Sequence, residues 1–122
     1  YVWHADTFGL PVRRAVAAAG LRVRQCLVWV KPALVLGRQD YQWRHEPCLD
    51  GGADGAAYIW LGDRTQTTVL EFDKPTRNAD HPTMKPVALF GAFLNKSCPT
   101  GGVVLDPFGG SGTPLVAAEP AG

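Results

Sequence analysis

The segment VVLDPFGGSGT, residues 103–113, constrains the fold of this 122-residue chain more than any other feature. Its apolar residues are typical of a short buried strand, which ends at Asp106 and leads into a glycine-rich loop. The loop glycines are Gly109, Gly110 and Gly112. Glycines allow positive φ and leave main-chain amides open to a ligand. TPLVAAE then predicts a helix, and this order is typical of the cofactor-binding edge of an α/β sheet, with Asp106 as a hydrogen-bond acceptor.

Two common nucleotide-binding loops fit this segment poorly. A phosphate-binding P-loop places Lys after its last glycine, whereas Thr113 follows Gly112 here. In the dinucleotide fingerprint counted from Gly110, Leu115 stands where the third small residue belongs. A nucleoside triphosphate is therefore disfavoured, and a nicotinamide or flavin oxidoreductase stays as an alternative that shares the sheet and the loop.

A second candidate segment is HPTMKPVAL, residues 81–89. Its prolines stiffen a loop that carries His81, Thr83 and Lys85 to the start of a helix predicted over 86–97. A helix N-terminus beside a lysine favours a carboxylate, whereas one histidine without a nearby second ligand makes a poor zinc site. The segment predicts binding of the carboxylate of an amino-acid moiety, with no metal.

The rest of the chain predicts alternating strands and helices, hence an α/β fold. Residues 1–4 are typical of a strand, 10–20 of a helix, and 21–30 of a buried strand that Pro32 ends. Residues 33–55 lack a sustained period and predict a long connection with short strands at best. The last predicted elements are an antiparallel hairpin formed by 56–62 and 67–72, a polar loop over 74–82, and a turn over 100–102.

The overall charge of the chain does not by itself indicate a nucleic-acid partner. Twelve Lys and Arg against eleven Asp and Glu leave a net charge of +1, so a nucleic-acid partner has to be argued from local sites. Five basic residues in the connections either form a DNA-facing rim or are scattered solvated charges. They are Arg38, Arg44, Arg64, Lys74 and Arg77. Four tryptophans, Trp3, Trp29, Trp43 and Trp60, predict core or pocket-wall positions, where one could also stack on a flipped base.

The three cysteines indicate a reducing compartment. They are widely spaced with no CxxC, which disfavours a disulfide framework, and the lone His45–Cys48 pair lacks the second pair that a zinc site needs. No apolar stretch approaches the roughly 18 residues of a membrane-spanning helix. We therefore expect a soluble cytoplasmic protein with no membrane partner.

HPTMKP followed by DPFGGSGT resembles the DNA amino-methyltransferases that use S-adenosylmethionine, in the motif order of their β class. The stretch from Tyr1 through CLVWVKP and the loop with His45, Glu46 and Pro47 look like the middle of that family, so the resemblance covers nearly the whole chain. It implies a Rossmann-like methyltransferase sheet, incomplete at both ends, within a partial domain 1–122. The divisions are 1–32 for strand, helix and strand, 33–80 for a connecting region with short strands and a DNA-facing loop, and 81–122 for the cofactor segments.

The resemblance implies methyl transfer from S-adenosylmethionine to the exocyclic amino nitrogen of adenine or cytosine in double-stranded DNA, as in restriction-modification systems. It leaves open whether a cognate restriction nuclease is a second partner. The implied cofactor residues are Asp106, Phe108, Gly109, Gly110, Ser111, Gly112, Thr113, His81, Thr83 and Lys85.

The chain also departs from the family. The family's catalytic Asp/Asn/Ser-Pro-Pro-Tyr/Phe segment does not occur in residues 1–122, and Pro114 and Pro120 are unusual in the last helix. Since no Met precedes Tyr1, and few residues follow the glycine loop, we expect the catalytic segment upstream of Tyr1. The chain by itself should be inactive, and Lys31, His45 and Glu46 are the first residues to examine if it is not. A non-catalytic DNA- or cofactor-binding remnant of a mobile element is the remaining alternative.

Overall fold

The computed structural model describes residues 1–73, 85–110 and 112–119. These residues belong to two compact units, Tyr1–Tyr58 with Thr67–Glu71 and Ile59–Gln66 with Phe72–Gly122. The first unit contains strands β1 (Val2–Trp3), β2 (Leu21–Val35), β3 (Trp43–Ala53) and β4 (Val69–Glu71), a 3₁₀ turn at Asp6–Phe8 and helix α1 (Gly9–Ala18). The second contains helices α2 (Val87–Ser97) and α3 (Thr113–Ala118).

The sheet of the first unit is mixed, with strand order β1-β3-β2-β4. Strand β3 is antiparallel to both β1 and β2, and β4 runs parallel to β2. The strands β1, β2 and β4 therefore share one direction, and β3 lies between the two strands that α1 connects. The predicted α/β class is confirmed, as a four-stranded mixed sheet with helices.

Helix α1 follows its sequence signals. Pro11 lies in the first turn, where the missing amide has no intrahelical partner, and an alanine-rich body follows. Gly20 ends the helix with φ of +77°, and its amide donates to the Ala17 carbonyl at 3.0 Å. This left-handed position favours glycine, so the chain can turn directly into β2.

The predictions for residues 30–55 were wrong in two respects. Pro32 does not end β2, which continues to Val35. The pairing of β2 with β3 is irregular between the pairs Val30–His45 and Val35–Trp43, so the amide hydrogen bond that Pro32 cannot donate is not required there. The expected long connection contains the 11-residue strand β3. Its glycines hid it: a Cβ at Gly51 would overlap the carbonyl oxygen of Arg22, so the strand requires a residue of low β-propensity there.

The predicted hairpin of 56–62 with 67–72 was also wrong. Residues 56–61 form no strand, and only Val69–Glu71 of the second segment is extended, in a parallel pairing with β2. A parallel pairing gives no short-range turn signal, which is why a local reading of the sequence favoured the hairpin.

The buried residues of the first unit lie near the middle of the strands of the sheet. Trp29 is 1% exposed and packs edge-on against Trp3, with ring centroids 6.4 Å apart and an 82° angle between the rings. Cys48, Leu49 and Leu70 are also buried. Burial raises the pKa of the Cys48 thiol to about 12, so it behaves as an apolar core group.

In the second unit, α2 packs against α3. Leu89 and Phe93 of α2 and Thr113 and Ala117 of α3 are the buried residues of these helices, and Leu89 is fully inaccessible. The predicted helices over 86–97 and 113–119 are confirmed within one or two residues. No helix in the described ranges is long and apolar enough to cross a membrane.

The predicted strand at 103–106 is wrong. In the structure these residues are exposed and belong to none of the strands of the sheet. An apolar run specifies a strand only when a neighbouring strand accepts its backbone hydrogen bonds, and its own composition does not supply that neighbour. The expected turn at 100–102 is present, with Gly101 at φ of +76°, whereas the expected loop over 74–82 lies outside the described residues.

Candidate functional site

The glycine loop is folded by its own short-range hydrogen bonds. The Phe108 amide donates to Asp106 Oδ1 at 3.0 Å, in the manner of an Asx turn. The Gly112 amide then donates to the Gly109 carbonyl at 2.9 Å. The loop conformation therefore depends on the carboxylate of Asp106, the residue that the sequence assigns to cofactor binding.

Two loop glycines adopt positive φ, 55° at Gly110 and 77° at Gly112. Gly112 is the N-cap of α3, and its carbonyl accepts from the amides of Leu115 at 3.0 Å and Val116 at 3.1 Å. A side chain at either glycine would strain this backbone. Among the described residues, the nearest atom beyond its chain neighbours that a Cβ at Gly109 would meet is the Asp106 carbonyl oxygen at 4.0 Å, which leaves the main chain there open.

Accessibility divides the predicted cofactor residues into two groups. Asp106, Phe108, Gly109 and Gly110 are exposed, whereas Thr113 is buried at the start of α3. The structure places these residues and Gly112 in one continuous loop and helix start. Ser111 lies outside the described residues.

Lys85 lies at the start of α2, in the second segment that the sequence predicts to contact the cofactor. It is half-buried and precedes Pro86, the buried N-cap of the helix. Helix α2, which follows Lys85, packs against α3, which follows the glycine loop. His81 and Thr83, the other predicted residues of this segment, lie outside the described residues.

The first unit holds the residues named as the alternative catalytic candidates. Lys31 Nζ lies 3.9 Å from Glu46 Oε2 and 5.7 Å from the ring centre of Trp29, while His45 packs edge-on against Trp43 with centroids 5.6 Å apart. The ion pair joins β2 to β3, and this gives it a structural role. Within the described ranges no three His, Cys, Asp or Glu side chains converge as a metal site would require.

The tryptophans differ in burial. The structure confirms a core position for Trp29. Trp3 and Trp43 are half-buried, and their rings pack edge-on against Trp29 and His45, respectively. Trp60 is exposed, so the expectation of a core or pocket-wall position does not hold for it.

The basic candidates for DNA contact are spread along the chain. Arg38 and Arg44 lie in the β2–β3 hairpin, and Arg64 lies in the turn 62–66 of the second unit. That turn is built on Asp63, which accepts from Thr65 Oγ1 at 2.7 Å and from Gln66 Nε2 at 3.1 Å. These hydrogen bonds lower the pKa of Asp63 to about 2. Lys74 and Arg77 lie outside the described residues.

A family model described as DNA methylase, of the N6/N4 methyltransferase type, matches residues 39–122. The matched segment includes β3, both helices of the second unit and the whole glycine loop. The chain belongs to this family. None of the curated proteins matches the sequence at a significant level.

Two solved structures share the fold of this chain. The crystal structure of an M1.HpyAVI–SAM complex superposes with a TM-score of 0.81 at 22% identity and covers 98% of this chain. A second structure, of M1.HpyAVI, gives a TM-score of 0.75 at 20% identity and the same coverage. This chain spans 61% and 60% of the length of those two chains.

The sequence interpretation missed β3 and therefore the hairpin that it forms with β2. WRHEPCL shows no alternation of polar and apolar residues, and a proline and two following glycines are uncommon in strands, so no local signal marked β3. The exposed tip of this hairpin carries residues that the sequence did not distinguish from ordinary loop residues.

Proposed function

We propose that this chain is the cofactor-binding part of a DNA methyltransferase that methylates the exocyclic amino nitrogen of adenine or cytosine, with S-adenosylmethionine as methyl donor. The observation that carries the proposal is the family match over residues 39–122, because this range contains the entire loop 106–113. The M1.HpyAVI–SAM complex supports it, since that protein binds the cofactor on the same fold.

The residues of the loop fit such a cofactor chemically. S-Adenosylmethionine carries amino, sulfonium and carboxylate groups together with a nucleoside, and when bound it supplies an electrophilic methyl group. The exposed Asp106 carboxylate can accept from a cationic amino group or a hydroxyl. Gly109 and Gly110 expose main-chain polar groups without a Cβ above them.

We assign the carboxylate side of the cofactor to the α2 start. Lys85 is the cation there, and Thr83 and His81 precede it in the sequence. A lysine beside a helix N-terminus favours an anion through its own charge and through the partial charge of the helix end. Phe108, which is 91% exposed, supplies an apolar ring next to the glycines.

Methyl transfer also needs a group that positions the target amino nitrogen. The Pro-Pro-Tyr or Pro-Pro-Phe segment that does this in the family does not occur in residues 1–122. We therefore propose that this chain captures the cofactor and contacts DNA but does not complete the reaction alone. Loss of such positioning removes many orders of magnitude in rate.

Calorimetric titration of the purified chain tests the proposal against the oxidoreductase alternative. S-Adenosylmethionine should bind at one site, and NAD should give no heat beyond dilution. Binding of NAD or a flavin in place of S-adenosylmethionine would overturn the assignment of the loop. Binding of neither would favour the remnant that has lost its cofactor site.

A further inference from the structure

Positive charge is concentrated in one stretch of the first unit. Residues 7–39 contain six lysines and arginines and no aspartate or glutamate. The whole chain has a charge of +1, so the remaining residues sum to −5. We define the arginine segment as residues 9–24, which comprise α1 and the start of β2 and carry a formal charge of +4. Its basic residues are Arg13, Arg14, Arg22 and Arg24.

Helix α1 presents two of these arginines to solvent. Val12 and Val16 are half-buried and lie one turn apart, so they mark the side of α1 that faces the protein. Arg13 and Arg14 are exposed on the rest of the helix surface. An acid three or four residues away can neutralise an arginine on a helix, but α1 contains no acid. The charge of this pair is therefore not neutralised within the helix.

The two arginines at the start of β2 are also exposed. The guanidinium carbon of Arg24 lies 4.3 Å from the ring centre of Tyr58, and this stacking uses the face of the guanidinium rather than its in-plane N–H donors. Arg22 Nη1 lies 3.7 Å from Asp54 Oδ1, and both side chains are 76% exposed. Because an ion pair in water contributes little stability, a more highly charged anion can compete with Asp54 for Arg22.

The distribution of these charges favours an extended polyanion over a single small anion. The four arginines are divided between a helix and a strand, and a short turn at Ala19 and Gly20 joins the two elements. Duplex DNA carries one negative charge per about 1.7 Å of its axis, and arginine binds phosphate oxygens through paired N–H donors. Contacts of this kind add affinity without reading the base sequence.

We propose that the arginine segment is a phosphate-contacting surface for duplex DNA, with Arg13 and Arg14 as its principal contacts. The inference rests on the proposed function for its choice of DNA as the polyanion. Since β2 runs from Leu21 to Val35, its arginines lie at the end of the strand away from the β2–β3 hairpin. The segment also contains none of the predicted cofactor residues, so the two assignments can fail separately.

Fluorescence anisotropy of a labelled duplex of about 20 base pairs, titrated with the purified 122-residue chain over a series of KCl concentrations, tests the surface. The double variant Arg13→Ala/Arg14→Ala loses two phosphate contacts, so the slope of log K against log salt should become shallower by about 1.8. The affinity deficit of this variant should accordingly shrink about twelvefold between about 50 and 200 mM KCl. Alanine has the highest helix propensity, and circular dichroism shows whether α1 is retained.

Two control variants separate charge from other effects of substitution. Arg13→Lys/Arg14→Lys keeps both charges, so its slope should equal that of the unaltered chain. Leu10→Ala removes an uncharged side chain from the same helix, at a residue that is 62% exposed. It should change neither affinity nor slope by more than the error of the titration.

Three results would overturn this proposal. One is an unchanged slope for Arg13→Ala/Arg14→Ala in a folded chain, and another is an absence of duplex binding by a chain that still binds S-adenosylmethionine. The third is that poly-L-glutamate, but not the duplex, binds with an affinity that depends on Arg13 and Arg14, which would assign the segment to an acidic protein. Loss of cofactor binding in calorimetry, with arginine-dependent DNA binding intact, would instead refute only the cofactor assignment.

Discussion

Replacement of Asp106 separates the hydrogen bond that the structure shows from the cofactor contact that we propose. Oδ1 accepts from the Phe108 amide at 3.0 Å and so shapes the loop, while the proposed function uses the charge of the exposed carboxylate to bind the cofactor. Asp106→Ala removes both. Asp106→Asn keeps an acceptor for the Phe108 amide and removes only the charge, which makes it the matched control for loop geometry.

The expected losses differ in size. A hydrogen bond to a charged group contributes about 1.5–3 kcal/mol, so Asp106→Ala should weaken S-adenosylmethionine binding about tenfold or more. Asp106→Asn should lose less, since a neutral hydrogen bond still contributes about 0.5–1.5 kcal/mol. Calorimetry gives both dissociation constants, and circular dichroism shows whether each variant is folded. Unchanged affinity in a folded Asp106→Ala variant would refute the reasoning and leave Asp106 with the loop-shaping role alone.

Three further predictions concern stability and activity. Leu89→Ala should lower the free energy of unfolding by about 2–5 kcal/mol, because Leu89 is fully buried. Leu115→Ala, at a residue 77% exposed, should change it by less than about 0.5 kcal/mol. Urea titration measures both free energies, and equal effects would contradict the packing of α2. Because burial raises the pKa of Cys48 to about 12, its neutral thiol stabilises the fold fully below pH 9.0, and this contribution should be lost as the pH rises from 9.0 towards 12. In labelling at pH 8, Cys48 should react only in urea, and rapid native labelling would refute its burial. The purified chain should transfer no labelled methyl group to duplex DNA, and turnover above a heat-killed control would direct attention to Lys31, His45 and Glu46.

The helices were predictable because their signals are local. Proline in the first turn and glycine at the end mark α1, and apolar spacing marks α2. The loop 106–113 was predictable for the same reason, since glycines at positive φ and the Asp106–Phe108 hydrogen bond depend on residues at most a few positions apart.

Strand pairing was not predictable to the same degree. β3 contains Pro47 and two glycines, and its pairing with β1 joins residues that lie far apart in sequence. β4 pairs in parallel with β2 across about forty residues, which leaves no hairpin turn to detect. The apolar residues 103–105 show the converse: a strand-like composition without pairing in the described sheet.

The exposure of Tyr41 was a further property that the sequence could not supply. Its neighbours GRQD indicate a turn, but whether a tyrosine beside a turn folds back onto the core depends on the strands at its base. The structure keeps Tyr41 in solvent, with 92% of the residue exposed.

Nuclear magnetic resonance of the ¹⁵N-labelled chain, titrated with S-adenosylmethionine and separately with NAD, tests the central claim most directly, because it locates the cofactor on the sequence. The proposal predicts that S-adenosylmethionine shifts the amide signals of residues 106–113 and of Lys85, with little change in β2 and β3, and that NAD shifts none of them. Shifts confined to the sheet of the first unit, or equal shifts with NAD at the glycine loop, would contradict the assignment of this loop as the S-adenosylmethionine site.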